Sequence, residues 1–182
     1  MEDKDRKRVL VLECVPKRDK MDEGIILYKF MSMTNMDLVG TIRVTHKRDL
    51  LNIMCNKSVM RQFGFVHISA HGNEDADGEP ILELPNGYLY SLEFPANCFK
   101  GKTVTFSACR LCRSSFIDTF MDQTGARYVV GPKKDVSFDD SAVWFINFYY
   151  LTLSHGYRPF DACYRVNEQY DDKIRGAFNC WR

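Results

Sequence analysis

The chain has 182 residues, 45% of them hydrophobic, which is enough for one well-buried domain and short for two. Its net charge is +1 and its basic residues are scattered, so the charge gives no reason to expect nucleic acid or a membrane as a partner. No segment resembles a secretory signal or reaches transmembrane length, and an odd count of seven cysteines indicates free thiols in a reducing cytoplasm.

The first 60 residues alternate strand-length apolar runs with helical patterns. Charged residues 1–8 are expected to form a poorly ordered tail, and residues 9–182 one domain, because no linker or repeat interrupts them. Three cysteines (Cys14, Cys55 and Cys163) fall inside apolar-periodic segments, so we expect them to be buried. The predicted elements are a strand at 9–15, a helix over 21–33, a strand at 39–45, and a helix capped by Thr45 that extends to about residue 60.

The remainder of the chain repeats this alternation around one hairpin. An Asn-Gly pair at 86–87 predicts the hairpin, because these residues accept the positive φ angles of tight turns. In order, the sequence predicts a strand at 65–71, an acidic loop at 73–78, the hairpin strands around 81–84 and 88–90, a strand at 103–109, a helix over 114–123 stopped by Gly125, a strand at 127–130, a helix from Ser137 to near Gly156, and a helix over 160–170.

This order of elements predicts the fold class. Strands that alternate with helices favour an α/β domain with a largely parallel sheet covered on both faces, to which the hairpin adds a small antiparallel unit. In such sheets, sites form outside the carboxyl ends of the strands. His71 and Cys109 both stand at the carboxyl ends of predicted strands.

A thiol and an imidazole at one sheet edge suit nucleophilic catalysis. His71 can accept the proton of Cys109, and the thiolate is a strong nucleophile. The backbone N–H groups of Gly72 and Cys109 are candidate donors to an oxyanion. Taken singly, His71 could be a hydrogen-bonded surface histidine and Cys109 a small buried hydrophobic residue. We expect His67, earlier on the same strand, to be a core histidine.

The spacing of Cys109 and Cys112 leaves a second chemistry open. A Cys-x-x-Cys pair can serve in thiol redox reactions or bind a metal. A structural zinc site needs four ligands, however, and no second pair has matching spacing. A redox pair would leave His71 without a role. Because the second cysteine pair that a zinc site needs is missing, no metal site is predicted.

Two motifs carry a resemblance to a known superfamily. Residues 65–72 (FVHISAHG) and 104–109 (VTFSAC) are similar to the catalytic strands of caspase-like cysteine peptidases, most of all the CHAT branch related to caspases and separases. Residues 125–131 (GARYVVG) extend the similarity, which covers roughly residues 60–165. The resemblance implies a three-layer α/β/α sandwich, a Cys/His dyad, peptide-bond cleavage after a selected residue, and no cofactor.

The residue preferred before the scissile bond, P1, is the least defined feature. Several relatives that cut after Lys or Arg carry Asp two positions before the nucleophile, where this chain has Ser107. We favour a basic P1 over an acidic one, because acidic segments follow His71 and the strand after Cys109. Asp139 and Asp140 could instead complement a helix dipole. The candidate pocket acids are Asp135, Asp139 and Asp140, and the opposing cations are Arg110, Lys133 and Lys134.

The sequence therefore predicts a cysteine endopeptidase that acts on protein or peptide substrates through a thioester. Two other classes remain open: a catalytically silent binding or scaffold module on the same fold, and a Cys-x-x-Cys redox or metal protein. Besides its substrate, an activating or regulatory protein partner is left open.

Overall fold

The computed structural model describes residues 7–34, 39–170 and 174–182. The expected N-terminal tail lies mostly outside these ranges. Where the described chain begins, the carbonyl of Arg8 accepts hydrogen bonds from the backbone N–H groups of Gly64 and Phe65, each at 3.0 Å. Within the described ranges, no helix is both long and apolar enough to cross a lipid bilayer.

The centre of the fold is a six-stranded sheet in which every neighbouring pair is parallel except the last. This confirms the predicted α/β class. The strands of this sheet are β1 Val9–Glu13, β2 Val39–Arg43, β3 Phe65–Ser69, β7 Thr103–Ser107, β8 Tyr128–Pro132 and β9 Phe178–Trp181. Across the sheet they lie in the order β2-β1-β3-β7-β8-β9.

A second, antiparallel sheet of three strands contains the predicted hairpin. Gly87 has φ 113°, a backbone conformation that side chains rarely allow, so the turn depends on this glycine. The strands are β4 His71–Glu74, β5 Pro80–Leu84 and β6 Gly87–Leu89. The helices are α1 Glu23–Thr34, α2 Lys47–Cys55, α3 Lys57–Met60, α4 Ser114–Thr124, α5 Phe138–Tyr149 and α6 Pro159–Asn167.

Alternating side chains of the central strands feed two separate hydrophobic cores. On β1, Leu10 and Leu12 pack into one core, and Val9 and Val11 into the other, because successive residues of a strand point to opposite faces. The first core contains residues of α2, α4 and the small sheet, and the second contains residues of α1, α5 and α6. The central sheet is therefore covered on both faces.

Three local predictions about residues 45–60 are wrong. The helix there is N-capped at His46, and the hydroxyl of Thr45 lies 3.0 Å from the His46 ring instead of capping the backbone. The helix also breaks at Asn56, whose side chain accepts a hydrogen bond from Val59 N–H and caps the next short helix. Cys55, expected to be buried, is exposed, whereas Cys14 and Cys163 are buried as predicted.

Two strands were not predicted. β9 forms the antiparallel edge of the central sheet, and β4 begins at His71, where the sequence suggested only the end of a strand and an acidic loop. The long predicted helix is present as α5 with Ser137 as its N-cap, and it continues as a π-helical turn over Tyr150–Ser154.

Candidate active site

The carboxyl ends of β3 and β7 form the site. These strands are parallel neighbours, and Ser69 of β3 is paired in register with Ser107 of β7. His71 and Cys109 each lie two residues beyond that pair, so the chain brings them out at the same edge of the sheet. The two strand ends that the sequence pattern predicted to be neighbours are therefore adjacent in the structure.

His71 and Cys109 line one small cavity of about 50 Å³. Gly72 lies tightly against this junction: a Cβ atom added to it would overlap the carbonyl oxygen of Cys109. The absence of a side chain at Gly72 is thus what lets the two strand ends approach so closely. The cavity is lined by Glu23, Ala70, His71, Gly72, Ser107, Ala108, Cys109, Pro132, Val136, Phe138 and Ser141.

The His71 ring is held on two sides. Its Nε2 lies 2.8 Å from Oδ2 of Asp19, and the ring packs perpendicular to the Phe138 ring at a centroid distance of 5.2 Å. An ionised carboxylate only accepts hydrogen bonds, so Asp19 selects the tautomer with a proton on Nε2. In the neutral ring the lone pair is then on Nδ1, the nitrogen that can serve as a base.

The Cys109 thiol contacts the segment between β8 and α5. Its Sγ donates a hydrogen bond to the carbonyl of Val136 at 3.1 Å, and the N–H of Val136 lies 3.5 Å from the same sulfur. Cys109 is only partly buried. The thiol therefore combines access to solvent with a fixed position beside the cavity.

A buried carboxyl group forms the floor of the cavity. Glu23, in the first turn of α1, is 2% exposed and accepts hydrogen bonds from the hydroxyls of Ser107 at 3.0 Å and Ser69 at 3.4 Å. Ser141 donates in turn to Ser107 Oγ at 3.4 Å. Burial raises the pKa of Glu23 to about 7, and the serine hydroxyls counteract this only in part.

His67 lies behind this floor, as the core histidine that the sequence predicted. It is fully buried, and burial lowers its pKa to about 3, so the ring is neutral. Its Nε2 lies 3.2 Å from Ser107 Oγ, and its Nδ1 lies 2.8 Å from Thr105 Oγ1. Because the one hydroxyl proton of Ser107 goes to Glu23, we assign the His67 proton to Nε2.

Of the predicted substrate-binding residues, only Ser107 lines the cavity. Asp135 is exposed and paired with Arg110 on the surface. Asp139 and Asp140 lie in the first turn of α5, where Asp140 accepts a hydrogen bond from the Ser137 hydroxyl at 2.7 Å. These three acids therefore do not form the wall next to Cys109.

The second cysteine of the Cys-x-x-Cys pair is a core residue. Cys112 is completely buried, and burial raises the pKa of its thiol. It packs so closely against Gly131 that a Cβ there would overlap the Cys112 sulfur. Among the described residues, no group of three or more His, Cys, Asp or Glu side chains is arranged to hold a metal ion.

Asp19 and Glu23 are two acidic site residues that sequence reasoning missed. Asp19 lies in the connection between β1 and α1, where it contacts His71, and Glu23 is the first residue of α1. The only available signal was indirect: acidic residues that follow the carboxyl end of another strand of the sheet. A scan against models of known protein families and a search of curated proteins find no match for this chain.

Proposed function

We propose that the protein is a cysteine endopeptidase of caspase-like type, with Cys109 as nucleophile and His71 as general base and acid. The observation that carries this proposal is the cavity that His71 and Cys109 share at the carboxyl edge of a parallel sheet, with Asp19 orienting the imidazole. The motif resemblance of residues 65–72 and 104–109 supports the same chemistry.

The proposed reaction starts with transfer of the Cys109 proton to Nδ1 of His71. The thiolate attacks the scissile carbonyl carbon, and the N–H groups of Gly72 and Cys109 donate to the resulting oxyanion. The tetrahedral intermediate collapses when the C–N bond breaks and His71 gives its proton to the departing amine. Water, deprotonated by His71, then hydrolyses the thioester to a carboxylic acid and free thiol.

The thiol proton must turn away from Val136 before this reaction can begin. In the structure the S–H group is directed at the Val136 carbonyl and not at the imidazole of His71. A substrate that displaces Val136 from the cavity wall would release the thiol toward His71. Peptide binding and activation of the nucleophile would then occur together.

The proposal is tested with Cys109→Ala and His71→Ala in a peptide-cleavage assay. We expect each variant to lose at least about a thousandfold in kcat/KM, as when members of a catalytic unit are removed. Cys55→Ser is the matched control, because Cys55 is an exposed thiol outside the cavity, and it should leave activity unchanged. Near-full activity in either cavity variant would contradict the dyad.

A peptide with an electrophilic warhead distinguishes the alternative classes. An active peptidase should be labelled at Cys109 in the wild type and unlabelled in His71→Ala. Labelling of neither protein, together with no cleavage of any library peptide, would favour the silent binding module. Oxidation to a bond between Cys109 and Cys112 would favour the redox class, although the burial of Cys112 opposes it.

A further inference from the structure

The cavity beside Cys109 ends on a carboxyl group that faces no basic side chain of the cavity wall. Of the described residues that line it, none is a lysine or an arginine. Glu23 is instead surrounded by hydroxyl groups from β3, β7 and α5, and it is 2% exposed. A buried carboxylate without a cation nearby is costly, and a cation that enters the cavity and is also hydrogen-bonded there offsets part of that cost.

We propose, on the basis of the peptidase function above, that Glu23 selects the substrate: it receives the side chain of a Lys or Arg at P1. Glu23 lines the same cavity that His71 and Cys109 border, so a P1 side chain that enters the cavity from the Cα next to the scissile carbonyl would extend toward it. The ammonium or guanidinium group would donate charge-assisted hydrogen bonds to Glu23 and further ones to the serine oxygens.

The cations that could favour an acidic P1 residue do not reach this floor. Arg110 is engaged on the surface by Asp135 and by Glu74, the latter at 3.7 Å. Lys133 and Lys134 are exposed and absent from the cavity lining. An aspartate side chain in the cavity would therefore meet the like charge of Glu23 without a compensating cation.

The cavity must widen to admit a long side chain. At about 50 Å³ it has room for one or two water molecules. Its wall includes Val136, which contacts the Cys109 sulfur, and Phe138, the first residue of α5. Entry of the P1 side chain would therefore move the segment that restrains the thiol, so that the attraction to Glu23 contributes to releasing the nucleophile.

The test compares peptides that differ only at P1, in pairs with and without charge: Arg against citrulline, and Lys against norleucine. In the wild type we expect kcat/KM at least about tenfold higher for the charged member of each pair. Glu23→Gln should bring both ratios close to one, because the amide keeps the shape of the side chain but carries no charge to attract the cation. Glu23→Asp, which keeps the charge, should retain part of the preference.

Asp135→Asn is the matched control, because Asp135 is an acid near the site in sequence but on the surface in the fold. It should leave both ratios unchanged. Faster cleavage of an Asp peptide by the wild type, or an unchanged Arg-to-citrulline ratio in Glu23→Gln, would overturn the assignment of Glu23. Melting curves establish that the variants are folded.

Peptide binding to Cys109→Ala separates this inference from the proposed reaction. The uncleaved Arg peptide should bind this variant more tightly than the citrulline peptide, and Glu23→Gln in the same background should abolish the difference. Selective binding without cleavage by the wild type would refute the peptidase but not the basic pocket. Cleavage without any Glu23-dependent selectivity would refute the pocket but not the peptidase.

Discussion

The Asp19–His71 contact determines which imidazole nitrogen can act as a base. With Nε2–H donated to Asp19 at 2.8 Å, the lone pair remains on Nδ1. Both side chains are partly exposed, at 31% for His71 and 28% for Asp19, so the carboxylate does not lie in a dry interior. We therefore treat Asp19 as a positioning residue whose effect is on the orientation and tautomer of the ring.

Asp19→Asn tests this role. The amide group of Asn can donate to Nε2 and so favours the opposite tautomer, with the proton on Nδ1. We expect kcat to fall on the order of a hundredfold or more, by analogy with other triads in which the tautomer is lost. The ¹⁵N chemical shifts of the His71 ring should report the changed tautomer directly.

Asp19→Glu is the conservative comparison, because it restores the acceptor at a slightly different distance. It should recover the original tautomer and part of the activity. If Asp19→Asn lowers activity while the ring nitrogens keep their shifts, Asp19 acts on stability or loop structure and the positioning role is wrong.

Substitution of Gly72 provides a second prediction at the level of a single residue. Because an added Cβ would overlap the Cys109 carbonyl, Gly72→Ala should force the two strand ends apart. We expect a loss of at least about 1–3 kcal/mol in the free energy of unfolding, as for other overpacked positions, and loss of activity. Urea unfolding measures the first quantity and peptide cleavage the second.

Asn73→Ala is the control for Gly72, since Asn73 is the next residue of β4 and is exposed. Its free energy of unfolding should change little. A fully stable and active Gly72→Ala protein would show that the close approach of the two strands is not required.

At the level of elements, the strand ends were predictable and the β1–α1 connection was not. The ends of the apolar runs near His71 and Cys109 can be located in the sequence itself. Parallel neighbours in one sheet also share an edge, so the two ends are expected to lie together. Glu23, in contrast, lies in the first turn of a helix, where acidic residues usually remain solvated and complement the helix dipole. Glu23 is buried because of the way the chain folds in three dimensions, and the local sequence pattern does not contain that information.

The cysteines illustrate the same limit. Periodicity predicted the burial of Cys14 and Cys163 correctly, because both belong to apolar segments that pack into the cores. It failed for Cys55, which ends α2 just before the break at Asn56. Leu50 and Met54 define the buried face of α2, and Cys55, five residues after Leu50 and one after Met54, lies off that face.

This distribution of thiols makes a labelling experiment informative. Cys14, Cys112, Cys163 and Cys180 are buried, while burial raises the pKa of Cys98 to about 12. Iodoacetamide should therefore modify Cys109 and Cys55 ahead of the others, and loss of activity should follow modification of Cys109 alone. Mass mapping during inactivation checks this.

The Cys55→Ser variant separates the two accessible thiols. It should be inactivated at the same rate as the wild type, with the label on Cys109. Inactivation that tracks labelling of Cys98 or Cys112 would instead indicate that the reactive thiol lies outside the proposed dyad.

At the scale of the whole molecule, His67 and Glu23 are both buried and both hydrogen-bonded to Ser107. They make the free energy of unfolding depend on pH in opposite directions. His67 has its pKa lowered from 6.5 to about 3, so the stability it contributes is complete above pH 6.5 and is lost as pH falls toward 3. Glu23 has its pKa raised from 4.5 to about 7, so the folded state holds its proton more tightly than the unfolded chain does. Its contribution is complete below pH 4.5 and is lost as pH rises through 7.

Glu23→Gln isolates one of these dependences, because Gln keeps the shape of the side chain but does not titrate. Buried groups that remain in both proteins, including Glu13 and Tyr149 nearby, largely cancel in the difference between them. We expect the variant to gain stability relative to the wild type as pH rises from 4.5 to about 7, by a few kcal/mol in order of magnitude, and the gain to level off above that. Urea unfolding at intervals from pH 4 to pH 8 measures it.

Asp135→Asn provides the reference for this comparison, since Asp135 is exposed and its pairing with Arg110 is at the surface. Its difference from the wild type should vary little over the same range. A difference for Glu23→Gln that is equally flat would mean that folding does not raise the pKa of Glu23. The floor of the cavity would then already be solvated or paired with a cation, and the attraction that is proposed to draw in a basic side chain would be correspondingly weak.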